Sequence, residues 1–436
     1  MVHSFALRSH GGSVVRVRVI HAADIHLDTP FRRQDADLRQ RLQQAGREAF
    51  TALVDLTLEE RADALLIAGD LFDNEWLTIA TERVLTRELR RLTDRGVTVV
   101  YATGNHDPGR INYRASHIDW PSTNFHLHSS RTPRKVPINR GGERIGWVVA
   151  AGHQTTHEST NLASTFPPAP GPGPAVALLH ADVGGAQGAA DDEAGNVYAP
   201  AALADLDTGY DYWALGHIHK RQRLREDSPA WYPGNLQGRD FGETGSKGAL
   251  VVELSPPEPP QVRFHPLARV RWEQLTDLDL SAAHAIGDVQ AAVRATFEGL
   301  QEAGGIMPSG QDWILRVELS GPCPLAAVLR SGEERSGLAE YLCESLGALD
   351  VDVRDVGLSP PIDLSRHAGQ RHVLGEALDL IQKAGHDDRL LSRLAPSELA
   401  LGDDHVEQDE RLTYLRGLLS GLDAAAAERL LRNDSA

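Results

Sequence analysis

Cysteine is nearly absent: Cys323 and Cys343 are the two in 436 residues, and they form no metal-ligand pattern. Such low usage fits a reducing compartment and leaves the fold to rest on its core. No apolar run approaches the ~20 residues that a membrane span needs. The leading "MVHSFALRSHGGS" has no apolar segment of the secretory kind. Residues 1–13 therefore read as a flexible leader, and the chain is expected in the cytoplasm without membrane contact. Also missing is a G-x-x-x-x-G-K-[ST] phosphate loop, so any ATP chemistry must come from elsewhere. Basic residues are in deficit, 44 Lys+Arg against 61 Asp+Glu, for a formal charge of −17. The deficit is uneven: residues 1–250 hold 27 against 30, whereas 251–436 hold 17 against 31. The acidity argues against a nucleic-acid partner for the second half and hardly at all for the first.

The length allows two or three domains. Between residues 14 and 254 the apolar runs "VVRVRVI", "ALLIAG", "VTVVYA", "VALLH", "YWALG" and "GALVVEL" alternate with helical patterns. Leu38, Leu42, Ala45, Ala49, Leu53 and Leu56 recur at helical spacing, as do Leu77, Val84, Leu85, Leu89 and Leu92. This alternation predicts a largely parallel sheet covered by helices on both faces, an α/β fold. "FPPAPGPGP" at 166–174 reads as a surface loop, "SPPEPP" at 255–260 as the close of one region and "SPPIDL" at 359–364 as the opening of the last. Residues 267–358 run strand–helix–strand–helix–strand, and from 361 onward the pattern is helical. In the last segment Leu412, Leu415, Leu418, Leu419, Leu422 and Ala426 form one apolar stripe, suited equally to the protein's own body and to a partner helix. The arginines at 83, 87, 90, 91 and 95 read as a solvated helix face; a second cluster comprises Arg32, Arg33, Arg39, Arg41 and Arg47.

Chemistry concentrates where apolar runs stop. "VIHAAD" ends on Asp24 with His26 two residues on, "LLIAGD" on Asp70, "VVYATGN" on Asn105, "VALLH" on His180, and "WALGH" on His217 with His219 following. The carboxyl ends of strands are where sites form in open α/β sheets. Carboxylates and imidazoles crowded there without a cation are unfavourable. The donor set suits Mn²⁺, Fe²⁺ or Zn²⁺. Seven ligands exceed what one such ion needs, so two ions bridged by a shared carboxylate fit better.

The set "ADIHLDTPF", "AGDLFD", "TGNHDP", "LLH" and "GHIH" resembles the calcineurin-like metallophosphoesterase superfamily. The finer resemblance is to SbcD-type DNA repair exonucleases and their YhaO-like branch, through "DIHLDTPF", "YDYWALGHIHKRQ" and "YPGNLQGRDFGE". It covers about residues 15–265 and is looser beyond. It implies a metallophosphoesterase sheet sandwich flanked by helices, with a small α+β cap domain and a helical C-terminal region. The expected division is a two-metal phosphoesterase (nuclease) domain at 14–266, the cap at 267–358 and the helical region at 359–436. One ion would be held by Asp24, His26, Asp70 and His219, and the other by Asp70, Asn105, His180 and His217. The metal most in keeping is Mn²⁺. His106 would serve the substrate as proton donor or charge stabiliser, with Asp73 orienting its ring, and Asp107 would fix the loop. Asp28 stands where relatives nearest SbcD carry glycine; it is read as capping the segment that enters the helix at Asp35, rather than shaping the substrate opening.

The expected activity is metal-dependent DNA cleavage, exonucleolytic on duplex ends and also endonucleolytic on single strands. Lys220, Arg221, Arg223 and Arg225 follow "GHIH" directly and are placed to neutralise backbone phosphates. The alternative is a phosphodiesterase or phosphatase for a small molecule or phosphoprotein, since the same ligands serve such enzymes. The resemblance further implies a coiled-coil ATPase of the SbcC kind docking on residues 361–436. It also implies a homodimeric habit, for which no apolar stripe here identifies a face.

Overall fold

The structure, a computed structural model, describes residues 15–32, 34–73, 77–109, 117–184, 198–303, 310–361, 364–394, 405–419 and 421–432. The leader at 1–13 and Arg33 lie outside the described residues. Two compact units emerge, residues 1–273 with 304–314, and residues 274–303 with 315–436.

The first unit begins as a run of strands and two long helices: β1 (Val17–Ala22), α1 (Ala36–Glu59), β2 (Ala64–Ala68), α2 (Ile79–Thr93), β3 (Thr98–Ala102) and β4 (Phe125–His128). It continues with β5 (Arg134–Arg140), β6 (Glu143–Ala150), β7 (Ala175–His180), β8 (Tyr212–Gly216), β9 (Gln222–Arg223) and β10 (Ala230–Tyr232). The hairpin β11 (Gly248–Ser255) and β12 (Glu258–Pro266) follows, then β13 (Val270–Leu275). The sheet that the alternation alone predicts is divided into two, which is the sandwich that the resemblance implies. One has the order β12-β11-β1-β2-β3-β4, antiparallel from β12 to β1 and parallel from β1 to β4; the other, β5-β6-β7-β8-β10-β9, is parallel in the middle and antiparallel at both margins. Alternation along the chain counts strands without saying which sheet each joins, which is why one sheet was expected. The Pro-rich stretch at 255–260 turns the β11–β12 hairpin.

Side-chain alternation explains the sandwich. In β1, β2 and β3, Val19, Leu66 and Val100 face Val148, Val176 and Leu178 of the other sheet. The intervening Ile20, Leu65, Ile67, Val99 and Tyr101 face Phe50, Leu53 and Val54 of α1 and Leu85 and Leu89 of α2. A strand buried on both sides has no polar face, hence the unbroken apolar runs. Among the described residues, only the first sheet is roofed by long helices. The outer face of the second, with Ala177, Leu179, Trp213 and Leu215, is covered by short turns and loops carrying Leu162, Phe166, Leu206 and Tyr210.

Helix starts follow capping chemistry. Asp35 accepts from Leu38 N at 2.9 Å to cap α1, and Thr78 Oγ1 accepts from Thr81 N at 3.2 Å to cap α2. Asp28 does not serve the segment entering α1. Its carboxylate accepts from Thr78 N and from Thr81 Oγ1, each at 2.6 Å, so it steadies the start of α2, fifty residues away in sequence. The arginines of α2 form a solvated face as expected, with Arg90 paired to Asp119 and Arg91 to Asp55.

In the second unit, α3 (Ile286–Ala303), β14 (Asp312–Pro322), α4 (Ala326–Leu329), α5 (Gly332–Leu346) and β15 (Asp350–Ser359) reproduce the expected alternation with one extra helical turn. Strands β13, β14 and β15 form a three-stranded sheet in that order. The tail is helical: α6 (Val373–His386), α7 (Asp388–Leu394), α8 (His405–Leu419) and α9 (Leu422–Arg432). Here the single apolar stripe divides. Gly421, in the left-handed region at φ 76°, breaks the helix. Leu412, Leu415 and Leu419 pack with Ala384 and Leu391, while Leu418 and Leu422 stay exposed, and Ala427 rather than Ala426 is fully buried.

Candidate metal centre

Five strand ends converge at one pole of the sandwich. Beyond β1 the backbone turns left-handed at Asp24 (φ 49°) and His26 (φ 48°), beyond β2 at Asp70 (φ 50°), and beyond β8 at His217 (φ 107°). Such conformations are costly for residues with a Cβ. Glycines make the room. A Cβ at Gly104 would lie 2.2 Å from Asp70 Oδ1, and one at Gly216 only 1.7 Å from Ala68 O. Each glycine that precedes a polar residue in "AGD", "TGN" and "LGH" thus marks a place where two strand ends nearly touch.

Asp24 and Asp70 are buried, and the predicted residues are brought together around them. His219 Nε2 lies 3.6 Å from Asp24 Oδ1 and 3.3 Å from His26 Nε2. Asp70 Oδ2 lies 3.8 Å from His26 Nε2 and 3.6 Å from His180 Nε2. Asn105 Oδ1 is 2.8 Å from His180 Nε2, and the His217 ring stands 5.2 Å from the His180 ring. Ligand atoms within 4.8 Å of one another form three groups: Asp24, His26 and His219; Asp24, Asp70 and His180; and His26, Asp70 and His106. His217 falls in none of them, although its backbone N donates to both Asp24 carboxylate oxygens at 3.1 Å.

The donor chemistry fits divalent ions. His180 Nδ1 donates to Ala68 O at 2.9 Å, so its Nε2 carries a lone pair. Burial pushes that ring down to about 4, which keeps it neutral at pH 7. A bare imidazole nitrogen facing an amide oxygen at 2.8 Å has no hydrogen to share, and a cation held by both would supply what is missing. His26 Nδ1 is buried with no hydrogen-bond partner among the described residues. For His219, burial opposes charge, but Asp24 and Glu243 outweigh it and hold the ring up at about 9. A metal on Nε2 would displace that proton.

A family model for calcineurin-like phosphoesterases matches residues 17–221. The uncharacterized metallophosphoesterase YhaO of Bacillus subtilis is 31% identical over 70% of this chain and 72% of its own. The chain belongs to the calcineurin-like metallophosphoesterases. The DNA double-strand break repair protein Mre11 of Aeropyrum pernix is 27% identical over 92% of this chain and 100% of its own. The SbcD component of nuclease SbcCD from Bacillus subtilis is 25% identical over 56% of this chain and 67% of its own.

Around this metallophosphoesterase centre, three further residues have defined places. His106 Nδ1 meets Asp73 Oδ1 at 2.9 Å, and its backbone N donates to Asp70 Oδ1 at 2.9 Å. Burial works against charge on His106, yet the Asp73 hydrogen bond and the Asp70 charge hold the ring up at about 9. Asp107 accepts from Asp70 N at 3.2 Å, Leu71 N at 2.6 Å, Gly104 N at 2.6 Å and Tyr101 Oη at 2.5 Å, tying the ends of β2 and β3 together.

Glu243 was missed by residue-level reading. Its Oε1 accepts from His219 Nδ1 at 2.7 Å, and its Oε2 accepts from Asn235 Nδ2 at 2.7 Å and Arg239 N at 2.8 Å. It fixes the His219 tautomer with Nε2 toward Asp24, as outer carboxylates do for metal-binding histidines. Asn235, Arg239 and Glu243 all stand in "YPGNLQGRDFGE", so the motif itself was the available signal. The basic run does not stay together. Arg225 pairs with Asp227 at 2.5 Å, and Arg223 Nε donates to Ser228 O at 2.8 Å. Arg221 lies over the Phe264 ring at 3.7 Å, and Lys220 is exposed.

Proposed function

We propose that the chain is a two-metal phosphodiesterase that cleaves DNA, exonucleolytically on duplex ends and endonucleolytically on single strands. The observation that carries the two-ion reading is Asp70, whose Oδ2 stands between His26 Nε2 at 3.8 Å and His180 Nε2 at 3.6 Å. On this reading Asp24, His26, Asp70 and His219 hold one ion, and Asp70, Asn105, His180 and His217 the other, with Mn²⁺ the metal of choice. When bound, such a pair polarises the phosphoryl group and activates water for in-line attack. His106 keeps a proton on Nε2 for the departing oxygen while its Nδ1 proton points at Asp73. DNA as the substrate is supported by relatives named for double-strand break repair and as part of a nuclease. The test is hydrolysis of DNA duplexes and single strands in Mn²⁺ by the wild type and Asp70→Ala. Loss of about a thousandfold or more is expected, the several kcal/mol a Lewis-acid pair contributes. Equal degradation by both overturns the assignment.

The same reading makes residues 361–436 the dock for a coiled-coil ATPase of the SbcC kind and places the complex in the cytoplasm. What supports it is an apolar cavity of about 250 Å³ among α6–α9, where Leu380, Leu394, Leu418 and Leu422 stay exposed. Deleting these residues should abolish co-purification with such an ATPase and spare metal-dependent hydrolysis. Retained binding refutes the dock.

A further inference from the structure

Immediately beside His219 the structure holds a second feature that metal chemistry does not use. A cavity of about 450 Å³ is lined by His219, Lys220, Arg221, Thr244, Ser246 and Lys247, with glycine backbone between them. Its wall carries three cationic side chains and, among the described residues, no carboxylate. In a chain with 61 acidic and 44 basic residues, that is a local reversal of sign. The cations are also available. Lys220 and Arg221 have no ion pair among the described residues, and the Arg221 guanidinium lies over the Phe264 ring at 3.7 Å. Lys247 is buried and directs one of its three protons to His219 O at 3.1 Å. Arg223 and Arg225, by contrast, are engaged with Ser228 and Asp227.

We propose that this cavity holds the phosphate adjacent to the scissile one on the substrate strand. The inference rests on the phosphodiesterase reading above and adds what that reading lacks, a reason to prefer a polynucleotide over an isolated diester. His219 connects the two sites: it lines the cavity and also stands with Asp24 and His26 in a metal-binding group. A strand that places one phosphate among those ligands carries the next one a single nucleotide away, as a fixed anion. Lys220, Arg221 and Lys247 meet that charge, and the Thr244 and Ser246 hydroxyls supply neutral donors of the kind that commonly position a backbone.

The experiment measures kcat/KM in Mn²⁺ on an oligonucleotide with one cleavable linkage. Its neighbours are made neutral as methylphosphonates, first on one side and then on the other. One of the two neutral linkages should cost the wild type about tenfold, the size of one charge-assisted contact. In Lys220→Glu and in Ser246→Asp the native oligonucleotide should be cleaved less efficiently, and the extra penalty of that neutral linkage should shrink toward none. The wild-type comparison stands even if a variant fails to fold. Unchanged wild-type kcat/KM with either neighbour neutral overturns the cavity assignment and leaves the phosphodiesterase reading intact. Failure to cleave the native oligonucleotide overturns both.

Discussion

The two sheets of the first unit reach the same pole with different chemistry. Of the candidate ligands, the first sheet brings the oxygen donors Asp24, Asp70 and Asn105, along with His26, and it also brings His106 and Asp73. The second brings the imidazoles His180, His217 and His219. The first sheet is also roofed by α1 and α2, the second by short turns and loops. Neither sheet alone carries a balanced ligand set. The centre is therefore a property of how the two sheets are set against each other, and every substitution that shifts this setting should act on the metal before it acts on the substrate.

Gly216→Ala attacks that setting directly and should have the largest effect. Its Cβ would stand 1.7 Å from Ala68 O, a backbone atom of the other sheet that cannot step aside. We expect a loss of about 3 kcal/mol or more, or failure to fold, read by thermal melting in EDTA. A variant that melts like the wild type would show that the sheets do not touch there. Next comes His106→Asn, with kcat lowered about 10²–10⁴-fold. Calorimetry of Mn²⁺ binding sharpens the point: a parallel loss of affinity would make His106 a ligand with His26 and Asp70. Glu243→Gln keeps the shape beside the second sheet's His219 but removes the charge that fixes its tautomer. Mn²⁺ affinity should fall about 10–100-fold, measured by titration.

The smallest effect is on acid stability. Burial pushes His21 down to about 3, between Tyr212 Oη and Leu215 O of the second sheet. The unfolded chain therefore binds a proton below about pH 6.5 that the folded chain refuses. Stability is complete above that pH and declines as pH falls from 6.5 toward 3. At pH 5 the loss from this one ring should be about 2 kcal/mol. Urea titrations in EDTA at pH 7 and pH 5 measure it, and equal stabilities would refute the neutral buried ring.

Legibility in the sequence follows the same division. The runs at β2, β3, β7 and β8 are buried throughout, so they show as nearly uninterrupted apolar stretches, whereas β1 and β11 are each broken by one partly exposed charged residue, Arg18 and Glu253, which pair with each other at 2.6 Å. The marginal strands β5 and β12 mix exposed and buried positions, with Pro259 and Pro260 within β12, and give no such signal. The candidate ligands were readable because each apolar run stops on a polar side chain, with His26 and His219 two residues beyond. Glu243 was not, since it comes from a loop that follows no long strand. Asp28 was read as a cap, but its partners Thr78 and Thr81 are brought to it by the fold and by nothing local.

The left-handed backbone at Asp24, His26, Asp70 and His217 has a bearing on how such a protein can be altered. Each of these positions would be more comfortable as glycine, so hydrolysis and robustness pull on them in opposite directions. A breeding scheme that rewards heat tolerance and ignores turnover should erode this pole early, and its sturdiest survivors should be inert.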